Sequence, residues 1–113
     1  MARQVEPQEG SSRHVKGFIL NKLYLGGYFG KKHIDIEDIP KGYPPKHRGK
    51  FSSLVEELRR SGYLVVFPHG SKKRAYAVRQ SAIIEKGLEI CNVFREAVDL
   101  PRLNKAFKEV VKT

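Results

Sequence analysis

Cysteine is almost missing from this chain: Cys91 is the single one in 113 residues. That excludes an intrachain disulfide framework and any zinc site built from paired cysteines, and it suits a reducing cytoplasm. No apolar run approaches the roughly 18 residues of a membrane span. Met1 to Ser12 carries Glu6, Pro7 and Glu9 where a signal peptide needs an apolar stretch. Histidines are few and scattered: His14, His33, His47 and His69 fall in four different elements, with no pair at metal-ligand spacing. Gly26 to Lys32 follows a helix and lacks the Gly-Lys-Ser/Thr arrangement that cradles a nucleotide. Asp35, Glu37 and Asp38 have no positioned histidine with which to do acid–base work. No cofactor, metal or enzymatic activity is expected, and the expected protein is soluble and cytoplasmic, without membrane contact.

Acidic residues are scarce in one stretch above all. Lys plus Arg number 22 against 12 Asp plus Glu, a formal net charge of +10. Residues 1–40 hold six basic and five acidic side chains, and residues 80–113 again six and five. Residues 41–79 hold ten basic ones against Glu56 and Glu57 alone, so +8 of the +10 lies there. Such a cluster displaces the counterions condensed on a phosphate backbone, which suggests a polyanionic partner. A surface kept charged for solubility is the plainer alternative. With 40% apolar residues, the length supports one domain burying roughly two-thirds of its unfolded surface.

Residues 1–11 read as a flexible tail. Ser11 or Ser12 then offers an N-cap to a first helix with Val15, Phe18, Ile19 and Leu23 at helical spacing, ending at Gly26-Gly27. Tyr28 to Ile34 makes a turn and a short extended piece. Asp35 to Ile39 follows as a short second helix, started by acids and limited by Pro40. After the Lys41 to Pro45 turn, Pro45 is suited to open a third helix whose apolar face is Phe51, Leu54, Val55 and Leu58. The other start is Ser52 or Ser53, with Ser53 and Glu56 as a capping box and Lys46 to Lys50 as a basic loop. Gly62 closes the helix in the left-handed conformation. Tyr63 to Phe67 and Arg74 to Val78 form a hairpin, with Pro68-His69-Gly70-Ser71 as turn residues and a tip from His69 to Lys73. Ser81 caps a long helix ending near Asp99, and Pro101 opens a last amphipathic one.

The fold class expected is mainly α with a small β-hairpin, α+β. A helix, a short helix, a turn, a helix ending at glycine and a hairpin with a basic tip, in that order, resemble a winged helix-turn-helix domain over about residues 12–80. Leu54, Leu58 and Ser61-Gly62-Tyr63-Leu64 carry the likeness, with Val65-Val66-Phe67 and Tyr76-Ala77-Val78 as wing strands. The resemblance implies that the third helix reads the major groove of DNA and that the wing contacts a neighbouring groove. It also implies that residues 81–113, two C-terminal helices, serve dimerisation. Pro40 and the proline-rich connection before the third helix depart from compact members.

With the apolar face inward, about 100° per residue places Lys46, Gly49, Ser53, Glu56 and Arg60 outward and Lys50 on the flank. Gly49 and Ser53 are small enough for close backbone approach, and Lys46, Arg48 and Lys50 surround the helix start. Arg48 alone has the bidentate geometry that suits guanine; its other role is a sideways reach to a phosphate. Glu56 pairs with Arg60 one turn later. On the wing, Lys72, Lys73 and Arg74 suit phosphate or minor-groove contact, or else protect an edge hairpin from aggregation. Strand alternation sends Arg74 and Tyr76 to one side and Lys73, Ala75 and Ala77 to the other. The candidate nucleic-acid-binding residues are thus Lys46, Arg48, Lys50, Ser53, Arg60, Lys72, Lys73 and Arg74. Lys31 and Lys32 are a further candidate phosphate anchor, and His47 and His69 would add charge when protonated.

From Ala82 to Val98 the apolar residues cover about half the helix circumference, wider than the ~100° stripe that one core needs. Two neighbours are required: the winged domain or the last helix is one, and a second subunit is the expected other, the alternative being a monomer in which both tail helices fold back onto one core. The expected function is therefore that of a dimeric double-stranded DNA-binding protein, a transcriptional regulator. The alternatives are an RNA-binding or ribonucleoprotein component, and a protein-interaction module in a transcription or replication assembly.

Overall fold

Ser11 sets where the first helix begins. Its hydroxyl accepts from the His14 N–H at 3.3 Å, and its extended backbone leads the chain into α1, Ser12–Leu25. Gly26 and Gly27 end it as expected, Gly27 at φ +73. The computed structural model describes residues 9–93. After α1 come β1 (Ile34–Asp35), a 3₁₀ turn (Ile36–Asp38), a second 3₁₀ segment (Pro45–Lys50), α2 (Phe51–Arg60), β2 (Leu64–His69), β3 (Lys72–Ala77) and α3 (Ser81–Val93). Among the described residues the architecture is α+β: three α-helices and a three-stranded antiparallel sheet in the order β1–β3–β2.

Several local expectations change. The sheet has a third strand, because Ile34 pairs with Ala75 and Asp35 with Arg74. The acidic stretch makes a single 3₁₀ turn instead of a short α-helix. Pro45 does open a helical segment, where its missing N–H costs nothing, but that segment is 3₁₀ and the α-helix proper starts at Phe51. Ser53 lies inside α2 and forms no capping box; its hydroxyl donates to the Lys50 carbonyl at 3.1 Å. The hairpin turn is only Gly70-Ser71, with Gly70 at φ +62 and no positive φ at Ser71, which fits a type II′ turn. Pro68 and His69 belong to the ladder, opposite Lys73 and Lys72. Pro68 is tolerated because β2 is an edge strand.

The apolar faces meet as the periodicity requires. Val15, Ile19, Leu20 and Leu23 from α1 pack with Phe51, Leu54, Val55 and Leu58 from α2 and with Leu64, Ala75 and Ala77 from the sheet. Ile84 and Cys91 on α3 join the same core, so residues 81–93 fold onto the rest of the chain. There α3 lies close to α1. The Cys91 thiol donates weakly to the Gly17 carbonyl at 3.7 Å, and burial pushes that thiol up to about 12. Gly10, expected within a flexible tail, is instead held in the fold: its N–H donates to the Tyr43 hydroxyl at 2.7 Å. Residues 1–8, the continuation of α3 to Asp99 and the helix from Pro101 lie outside the described residues. No helix among the described residues is long and apolar enough to cross a membrane.

Candidate nucleic-acid interface

The β2–β3 register decides which wing cations meet α2. Val66 pairs with Ala75 and Pro68 with Lys73, so Lys73 shares the face of the buried Ala75 and Ala77. It stands where that face runs past the end of the core. Opposite it, Val65 pairs with Tyr76, Phe67 with Arg74 and His69 with Lys72. The expected alternation of Arg74 and Tyr76 against Lys73, Ala75 and Ala77 is the observed one.

Between α2 and the hairpin lies an open cleft of about 410 Å³. Ser52, Val55 and Glu56 line it from α2, Val66 from β2, Ser71, Lys72 and Lys73 from the hairpin end, and Ile36 and Glu37 from the first 3₁₀ turn. An adjoining depression shares Glu56, Val66 and Lys73 and adds Arg59, Phe67 and Pro68. The floor is therefore apolar and the rim charged, with cations contributed by both walls.

The charges are unevenly engaged. Lys46 and Lys73 are exposed and have no carboxylate partner among the described residues. Lys72 Nζ stands 3.5 Å from Glu37 Oε2. Arg59 grips Glu56 in two contacts, one of them Nε to Oε2 at 2.9 Å, while Arg60 Nε is 3.4 Å from Oε1. The Arg59 guanidinium holds the Glu56 carboxyl down at about 2, so it is ionised at neutral pH and the cluster of three nets one positive charge. The expected Glu56–Arg60 pair exists, but Arg59 is the closer partner. Glu57 pairs with Lys16 of α1 and does not line the cleft.

Three of the candidate cations also hold the fold together. Arg48 Nε donates to the Tyr43 carbonyl at 3.2 Å, and Lys50 Nζ to the Gly10 carbonyl at 2.6 Å. Both tie neighbouring loops to the start of α2 while keeping their charge, since carbonyls do not neutralise it. Arg74 donates from Nε to Asp35 Oδ1 at 2.7 Å and lies on the sheet face away from the cleft. Lys31 and Lys32 do not line the cleft, and Lys32 Nζ sits 4.9 Å over the Tyr28 ring. His47 lies 3.8 Å from Glu9, and His69 sits in the ladder beside Phe67.

Of the eight candidates, Lys72 and Lys73 line the cleft, whereas Lys46, Arg48, Lys50, Ser53, Arg60 and Arg74 do not; on α2, Ser52 and Arg59 line it in place of Ser53 and Arg60. The hairpin stands beside α2 and not opposite its buried face, so the cleft meets the flank that carries Ser52, Val55, Glu56 and Arg59. The 3₁₀ segment, whose residues turn about 120° instead of about 100°, brings Lys46 into line with Ser52 and out of line with Ser53. Arg59 was legible as the residue one helical turn beyond the buried Val55, on the same flank as Ser52. Lys22, which no local pattern singles out, donates to the carbonyls of Asp38, Ile39 and Lys41 and closes the 3₁₀ turn, and its burial lowers its pKa. Comparison of the chain with protein-family models, curated proteins and solved structures finds no match in any of the three.

Proposed function

We propose that the chain is a winged-helix protein that binds double-stranded DNA. In this reading α2 enters the major groove with its N-terminal end, led by Lys46 and Arg48, and the β2–β3 hairpin sets Lys72 and Lys73 against phosphates of the adjacent groove. The observation that carries it is the cleft, with α2 and a basic hairpin as its two walls inside the segment that holds +8 of the net charge. The strand order β1–β3–β2 and the placement of the hairpin directly after α2 support the winged-helix reading. Gene regulation is the role such binding serves. A homodimer joined through the C-terminal helices would present two copies of α2 to successive half-sites; sedimentation as a monomer at tens of micromolar would rule the dimer out.

One observation favours a second reading. Glu37 and Glu56 place two carboxylates on the cleft walls above Val55 and Val66, a mixture that suits a protein segment better than a phosphate backbone. Fluorescence anisotropy of a labelled duplex over a salt series separates the two. The DNA reading expects affinity that falls steeply with salt, with Lys46→Ala and Lys73→Ala each lowering the slope by about one. Salt-independent affinity, or none, supports the protein-docking reading, and preference for structured RNA over duplex DNA moves the reading to RNA.

A further inference from the structure

The sheet has a second face, turned away from the core. Partners across an antiparallel ladder stand on one face, so Val65, Phe67 and His69 share this one with Lys72, Arg74 and Tyr76. The Phe67 ring lies 5.0 Å from His33, 5.9 Å from Tyr76 and 6.5 Å from His69, and His33 lies 5.9 Å from His69. Four rings thus form one contiguous patch.

The core does not need that patch. Among the described residues, Val65, Phe67 and Tyr76 neither belong to the core cluster nor pack against it, and each remains partly exposed. Arg74, bonded to Asp35 and 3.2 Å from His33 Nδ1, holds the edge of the patch in place. Aromatic rings left at the water side of a sheet, in positions that contribute little to burial, are suited to a ligand with flat faces of its own.

The surroundings define its charge. Gly30 approaches the Tyr76 ring and is followed by the exposed Lys31 and Lys32, while Lys72 stands on the patch beside His69. With Arg74, four cations face Asp35 and Glu37, which are already paired to Arg74 and Lys72. Flat rings with an excess of cations suit a polyanion whose bases are unpaired.

We propose that this outer sheet face binds single-stranded nucleic acid, with bases stacked on Phe67 and Tyr76 and the backbone phosphates on Lys31, Lys32 and Lys72. Every base has a π-face, so such stacking tolerates any sequence. A duplex keeps its bases inside and gains only the phosphate contacts here. The rings lie on the sheet face away from the α2 cleft, so base stacking does not depend on duplex binding there; Lys72, at the hairpin end, borders both.

Anisotropy of labelled oligothymidylate and oligouridylate with the full chain tests this and separates the DNA and RNA sources of the same chemistry. Binding to either is expected, with Phe67→Leu and Tyr76→Leu each weakening it roughly tenfold and Tyr76→Phe keeping it within about twofold. Circular dichroism and a thermal midpoint show that the leucine variants are folded, and the duplex affinity of Tyr76→Leu, which lies outside the cleft, is expected to be unchanged. The proposal is overturned if neither oligonucleotide binds, or if folded leucine variants bind as the wild type does. It is also overturned if Phe67→Leu instead abolishes self-association, which would assign the face to a second copy of the chain.

Discussion

Asp35 and Arg74 are register partners across β1 and β3, and the guanidinium Nε donates to the carboxylate at 2.7 Å. A strand of two residues has few ladder bonds with which to hold its place, so this ion pair pins β1 to the sheet. The third cation of the hairpin run is thereby occupied inside the fold, whereas Lys73 one residue earlier is free to face a partner.

The two neighbours should behave oppositely on substitution. Arg74→Ala is expected to cost about 1 kcal/mol of stability, since the pair is partly buried and charge-assisted, and to change duplex binding little. Lys73→Ala is expected to leave stability unchanged and to weaken binding to all duplexes alike, without altering sequence preference. Urea denaturation and anisotropy on the same two variants check both halves.

Glu56 carries a pH dependence with a definite sign. Its folded carboxyl is held at about 2 against an ordinary value of 4.5, so the Arg59 pair contributes fully above about pH 4.5 and is lost as pH falls through about 2. Asp38, lowered by its hydrogen bond with Lys41, acts in the same direction. Glu56→Gln should therefore flatten the acid limb of stability measured by denaturation across that window. At neutral pH the same variant removes one negative charge and releases Arg59 at the cleft, so duplex affinity should rise and the salt slope steepen by about one.

The contact between α1 and α3 sets a tight limit on side-chain volume. A methyl at Gly87 would overlap the Tyr24 hydroxyl and stand 2.8 Å from Cζ, and Tyr24 is buried and stacked on Phe29 at 5.8 Å. Gly87→Ala is expected to destabilise by about 1–2 kcal/mol, overpacking outweighing the gain in helix propensity. The Tyr24 hydroxyl has no hydrogen-bond partner among the described residues, so Tyr24→Phe alone should be neutral or stabilising by up to about 1 kcal/mol. Combining the two should recover part of the loss, as thermal melts of the single and double variants would show.

What could be read without coordinates was whatever depends on near neighbours. Ser11 and Gly26-Gly27 bound α1, the spacing of Phe51, Leu54, Val55 and Leu58 marks the buried face of α2, and Gly70 places the hairpin turn. What stayed hidden depends on distant residues or on helix type. Arg74 finds Asp35 from 39 positions away and Lys50 finds Gly10 from 40, and no local pattern reports such pairs. Two residues cannot show a strand period, so β1 read as an extended piece. The 3₁₀ conformation of Pro45–Lys50 changes the turn per residue, and with it the neighbours of Lys46 on the α2 surface. On α2 the sequence points to Ser53 and Arg60, whereas Ser52 and Arg59 line the cleft.

The most direct test of duplex binding by the cleft is a titration of isotope-labelled full chain with a short mixed-sequence DNA duplex, followed through backbone amide resonances. The account predicts that the largest shifts fall on residues 46–60 and 66–73, the two walls and the helix start. Amides there that stay unmoved while residues of α1 and α3 respond, or no response at all, would contradict it.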